Sequence, residues 1–108
     1  MSLNNIIQKI TQFRDDRNWK KFHNPKDLSL ALSIEAAELN ETFLWKQPEQ
    51  ANPLKIKEEL ADVFIYAFLM ADAMGLNVEE IIDHKLNQNA EKYPIEKSKD
   101  SSRKYNEF

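Results

Sequence analysis

Hydrophobic residues recur at helical spacing through most of this chain. Leu3, Ile6, Ile7, Ile10 and Phe13 fall on one side of a segment running from about Leu3 to Arg17. A second periodic segment starts near Asp27, after His23-Asn24-Pro25, and ends near Trp45. Pro48 and Pro53 bracket a polar loop, because proline lacks a helix donor and restricts the residue before it. The third segment runs from about Leu54 to Met74 and stops at Gly75, a suitable C-terminal cap. The fourth opens at Asn77, an N-cap candidate with Glu80 three residues on, and continues to about Tyr93 before Pro94. The remainder, Ile95 to Phe108, is rich in Lys, Ser, Asp and Glu and reads as a loosely held extension. The expectation is an all-α protein. Residues 1–94 form a four-helix bundle-like subunit, and residues 95–108 form an extension that contributes to a site or an interface.

Composition agrees with this pattern. A chain of 108 residues has the size of one domain with a modest core. One glycine and four prolines leave few turns for a meander of short strands. The absence of cysteine excludes disulfides and thiolate metal sites. A net charge of −3 argues against a general nucleic-acid binder, which carries a basic face. The longest strongly apolar, uncharged stretch, Val63 to Ala71, is far short of the ~20 residues that span a bilayer. The N-terminus shows no signal-peptide pattern. A cytoplasmic protein without nucleic-acid or membrane partners is expected.

Charge interrupts the apolar pattern in two places. In the second segment Leu28, Ala31, Leu32, Glu35, Glu38 and Leu39 share one face, so two glutamates stand where a core stripe should run. In the third, Glu59 and Asp62 share a face with Tyr66 and Leu69. Acids three residues apart sit on adjacent turns and can point at one object. Burying four carboxylates together is costly unless they are protonated, paired with bases or bound to a cation. An all-oxygen ligand set suits Mg²⁺, Mn²⁺ or Ca²⁺ rather than zinc. The competing reading is a set of solvated acids with arginine partners. A di-iron carboxylate site needs a Glu-x-x-His pair on each of two helices, which neither His23 nor His84 completes.

Acids in the form "EAAE", Glu35 to Glu38, followed by "ELAD", Glu59 to Asp62, resemble the MazG-like nucleotide pyrophosphohydrolases. The stretches "RNWKKFHNPKDLSLALSIEAAELNETFLW", "EELADVFIYAFLMAD", "KLNQNAEKYP" and "SSRKYNEF" are similar to the dCTP pyrophosphatase branch of that family over nearly the whole chain. The resemblance implies hydrolysis of a nucleoside triphosphate between its α- and β-phosphates, with a dNTP, dCTP in particular, as the expected substrate. It implies Mg²⁺, with Mn²⁺ as a substitute, held by Glu35, Glu38, Glu59 and Asp62. Glu38 is the expected residue for orienting or deprotonating the water. Glu58 also lies near the Asp62 face, but the family register favours Glu59. Phosphate contacts are implied for Lys85, Asn89, Lys92 and Tyr93, and for Lys104 or Tyr105. Base or sugar contacts are implied for Trp19, Trp45 and Tyr66, with His23 as a further candidate beside its simpler reading as a turn residue. Ile10 is aliphatic where a polar, base-reading side chain would be sought, which argues against strict cytosine specificity.

The apolar residues from Leu60 to Met74 point in almost every direction around their helix. Such a helix needs burial on all sides, which one small subunit does not supply. The family forms dimers or dimers of dimers, so a homodimer or homotetramer is expected. The alternative function is a non-catalytic helical interaction protein whose acids form a partner-binding surface.

Overall fold

The computed structural model describes residues 1–108, and every regular element in it is helical. Helix α1 spans Leu3–Asp16 and is capped by Ser2, whose side chain accepts from the Asn5 N–H. Its C-terminal end turns through Asn18, which takes a left-handed φ of 56°. The Asn18 N–H donates to the Asp15 carbonyl and the Trp19 N–H to the Arg14 carbonyl, the Schellman pattern that satisfies the last carbonyls of a helix. A short 3₁₀ turn, Lys20–Phe22, leads to α2, Pro25–Glu41. Asn24 caps α2 by accepting from the Asp27 N–H, with Pro25 at the position where a missing N–H costs nothing.

Helix α2 ends four residues before the expected boundary near Trp45. From there the bonding tightens to i→i+3 turns, Phe43 N–H to Asn40 and Leu44 N–H to Glu41, and Trp45 adopts a φ of 61°. Asn52 caps α3, Pro53–Ala73. Gly75, at φ 66°, closes α3 with a second Schellman pattern, in which Leu76 N–H donates to Ala71 and Gly75 N–H to Asp72. Most side chains are disfavoured at that φ, and glycine is not. Helix α2 packs along α3, and α1 packs against α3 over a shorter length.

Two compact units are distinguished, Met1–Leu76 and Asn77–Phe108. The first holds α1, α2 and α3. Its buried positions are Leu28, Ala51, Leu69, Ala71 and one charged residue, Arg14. Helix α3 is not buried on all sides within this chain: Leu60, Phe64, Ile65 and Met74 stay exposed.

The second unit holds α4, Val78–Lys92, and a one-turn α5, Ile95–Ser98. Asn77 caps α4 as expected, accepting from the Glu80 N–H at 3.0 Å. The segment after Pro94 is more ordered than its composition suggests. Tyr105 and Phe108 both pack edge-on against Tyr93, with ring centroids 6.1 and 6.0 Å away. Two aromatic anchors at the far end of a polar stretch hold it, and local polarity conceals them. No single helix is long and apolar enough to cross a membrane.

Candidate active site

Glu35 and Glu38 lie on adjacent turns of α2, and Glu59 faces them from α3. One carboxylate oxygen from each lies within 4.8 Å of the others. The packing of α2 along α3 brings about this convergence. Glu35 and Glu59 are half-buried, and Glu38 is exposed. The Oε2 atoms of Glu35 and Glu59 are shielded from solvent and have no hydrogen-bond partner. Such an atom forfeits its hydration without compensation, so the arrangement calls for a cation or a proton.

Electrostatics gives the same picture. The close approach of the Glu35 carboxyl, and its charge, push the Glu38 carboxyl above its ordinary value. Desolvation, followed by interaction with Glu38, does the same to Glu59, and Lys55 only partly offsets it. Crowded like charges raise pKa in this way. Glu58 is exposed and stands outside the cluster, so Glu59 is the acid of that pair that converges. Asp62 is not one of the three converging acids. It follows Glu59 by one turn, acts on that residue's charge, and lines a neighbouring cavity.

That cavity measures about 320 Å³, within the range of small-ligand sites. Its walls are mostly apolar and include Ile10, Phe13, Trp19, Tyr66 and Leu69. The Schellman turn at Asn18 sends Trp19 back toward α1, where it meets Phe13 edge-on at 6.0 Å. His23 also lines the cavity, with its Nδ1 buried and unpartnered. Burial, and then the charge of Arg14, hold its pKa below the usual value, so His23 is neutral at physiological pH. Three of the four expected base or sugar contacts, Trp19, His23 and Tyr66, therefore meet in one cavity with Asp62 at its edge. Trp45 is 93% exposed and does not line that cavity. The expected phosphate contacts all belong to the second unit. Lys85 and Asn89 lie on α4, and Lys104 precedes a short 3₁₀ turn, Tyr105–Glu107. Lys92 and Tyr93 gather with Tyr105, the Lys92 ammonium lying 5.0 Å from the Tyr105 ring.

Sequence reasoning missed Arg14. It is 5% exposed and donates to Asp72 across the α1–α3 contact at 2.6 Å and to Asp15 at 2.9 Å. The hydrogen bond with Asp15, above all, raises its already high pKa. A signal was present, since Arg14 follows Ile7 and Ile10 at helical spacing and so breaks an apolar stripe as Glu35 does.

A sequence model of the MazG-like family matches residues 30–108. The chain belongs to the MazG-like family. Among its MazG-like relatives, dCTP pyrophosphatase 1 of Mus musculus is 32% identical over 99% of this chain and 68% of its own length. The Homo sapiens protein of the same name is 33% identical over the same shares. A pyrophosphatase from Archaeoglobus fulgidus, known from its crystal structure, superposes with a TM-score of 0.79 at 35% identity, covering 85% of this chain and 92% of that one. The all-α fold is thus that of a solved pyrophosphatase, and this MazG-like chain is a nucleotide pyrophosphohydrolase.

Proposed function

We propose that the chain hydrolyses deoxynucleoside triphosphates in a Mg²⁺-dependent reaction, releasing the monophosphate and diphosphate, and so clears or balances the cytoplasmic nucleotide pool. The observation that carries this reading is the juxtaposition of three converging carboxylates, two of them with orphaned buried oxygens, and an aromatic-walled cavity edged by Asp62. The donor set is all oxygen, which fits Mg²⁺ and, as a substitute, Mn²⁺. Glu35, Glu38, Glu59 and Asp62 would hold the ion. When bound, it supplies charge neutralisation for the triphosphate and acidifies water.

The remaining chemistry belongs to the chain. Glu38, the most exposed acid of the cluster and one with a raised pKa, accepts the proton of the attacking water. The water oxygen bonds to one phosphorus, the α–β bridge breaks, and the bridging oxygen leaves with the other phosphorus and the electron pair. Trp19 offers a face for base stacking, which discriminates weakly between bases. Tyr66 and the neutral imidazole of His23 supply polar contacts to base or sugar. Ile10 in the cavity wall offers no hydrogen bond, so strict cytosine selection is not expected from that position. By the family resemblance, Lys85, Asn89, Lys92, Tyr93, Lys104 and Tyr105 would serve as further phosphate contacts.

The active form is a homodimer or homotetramer. Leu30 and Ile34 on α2, and Leu60 and Phe64 on α3, are each at least 40% exposed, a large apolar surface for so small a chain. Trp45, almost wholly in water, is assigned to the subunit contact as a base wall provided across it. Light scattering showing a monomer at micromolar concentration would remove this part of the reading.

A panel of NTPs and dNTPs with Mg²⁺, assayed for monophosphate and diphosphate, tests the activity. Turnover that is abolished by EDTA and by Glu38→Gln is the expected result. If no nucleotide is turned over and none binds in the presence of metal, the acids serve as an interaction surface instead.

A further inference from the structure

A second cavity of about 470 Å³ opens beside the acid cluster. Glu38 and Glu59 line it, and so do Lys46, Lys55 and Asn52, none of which belongs to the aromatic cavity. Neither lysine is ion-paired, since every salt bridge in the chain involves Arg14. The Asn52 Oδ1 is occupied in capping α3, which leaves its NH₂ group free to donate. The cavity is thus furnished with unengaged donors and open to solvent.

Helix α3 sets the relation between the two cavities. Lys55, Glu59, Asp62 and Tyr66 follow one another at spacings of four, three and four, so they form one row along a single face. From Lys55 to Tyr66 the helix rises ~16 Å. Tyr66 and Asp62 border the aromatic cavity, and Glu59 and Lys55 border the polar one. A molecule lying along this row would meet an apolar pocket, then carboxylates, then ammonium groups. A nucleoside triphosphate presents its parts in the matching order: a flat base, phosphate oxygens that share a cation, and a terminal diphosphate that needs positive partners.

We infer that the polar cavity seats the diphosphate half of the substrate, and afterwards the diphosphate product, with Lys46 and Lys55 as its cationic contacts and Asn52 as a neutral donor. This rests on the proposed hydrolysis and adds the polarity of the bound substrate: base toward Tyr66, terminal phosphates toward Lys55. Glu38, Glu41 and Glu59 also line the cavity. They would repel a bare diphosphate, so the ligand is diphosphate complexed with a divalent cation. Lysine suits this task as a flexible point charge that can follow the leaving group.

Inorganic pyrophosphate is the probe. Its binding in MgCl₂ is measured by calorimetry, and its product inhibition is measured beside that of the nucleoside monophosphate. Wild-type protein is compared with Lys46→Gln, Lys55→Gln, the double variant, and Lys57→Gln as an exposed control on α3. Loss of one charged contact is expected to weaken pyrophosphate binding about 10-fold. The double variant loses more, monophosphate inhibition changes less than about twofold, and Lys57→Gln matches wild type. Pyrophosphate binding and inhibition that stay unchanged in the double variant overturn the inference, whatever its turnover. Calorimetry needs no hydrolysis, so an inert wild type would reject the proposed reaction while the lysine dependence of pyrophosphate binding still decides this one.

Discussion

Two places in the first unit carry charge on an otherwise apolar helix face, and the chain treats them in opposite ways. At Arg14 the charge is resolved internally. Asp15 and Asp72 supply the countercharge, and the guanidinium is covered to 5% exposure. At Glu35, Glu38 and Glu59 nothing resolves it. Three like charges converge, and two oxygens are shielded without a donor. Paired buried charge fixes how two helices dock. Unpaired buried charge is a standing demand for something from outside, and the fold bears its cost before any ligand arrives.

The sharpest way to break this contrast is to neutralise one acid. Glu38→Gln should lower turnover by ~10²–10⁴-fold, the usual weight of a general base. Without divalent ions the same variant should melt higher than wild type, because a repulsion is removed. A variant that loses activity and also melts lower would place Glu38 among the structural residues. Arg14→Ala should act in the reverse sense. It removes the packed stem of a buried side chain and leaves Asp72 facing a vacated space that water partly screens, and should cost about 2 kcal/mol in urea unfolding. A loss well under 1 kcal/mol would show that Asp72, 36% exposed, is satisfied by water instead.

The next effect is a pH dependence of opposite sign at the two places. Glu38 and Glu59 have folded-state pKa values above the 4.5 of a free glutamate. The folded chain therefore holds protons more tightly than the unfolded one. Stability should fall as pH rises from about 4.5 through the raised values, and Mg²⁺ should restore it at neutral pH. Asp15 is displaced the other way, held below 3.8 by its hydrogen bond to Arg14. Its contribution is present above 3.8 and fades as pH falls through the lowered value. Thermal melts from pH 3 to 8, with EDTA and with Mg²⁺, read both trends. The smallest expected effect is Asp15→Asn, a melting temperature close to that of wild type, because that carboxylate is 49% exposed and solvent screens the pair.

The helices were legible because their signals are local. Asn77 and Gly75 mark their caps by residue type alone, and the helices expected from about Asp27 and Leu54 start slightly earlier, at Pro25 and Pro53. Helix α2 was read too long because Thr42 to Trp45 keeps a helix-like composition while its hydrogen bonds tighten into turns. In the site, Glu35, Glu38 and Glu59 were legible as breaks in apolar stripes, and their convergence follows from the packing of α2 on α3. Arg14 obeyed the same rule but went unread, since its meaning depends on Asp72, which lies 58 residues away. Lys46 and Lys55 were not legible at all. On a helix or a loop a lysine is the commonest of surface residues, and only the cavity they line sets them apart.

The two tryptophans occupy very different surroundings. Trp19 forms part of a cavity wall against Phe13, while the indole of Trp45 stands 93% in water. An indole's emission shifts with the polarity around it, so the pair amounts to two separate optical channels in one chain. A ligand entering the cavity would report through Trp19. A second subunit covering the surface would report through Trp45. With only two tryptophans present, replacing either by phenylalanine leaves the other as a single-colour gauge, Trp19 for occupancy and, in ligand-free protein, Trp45 for assembly, without any added dye.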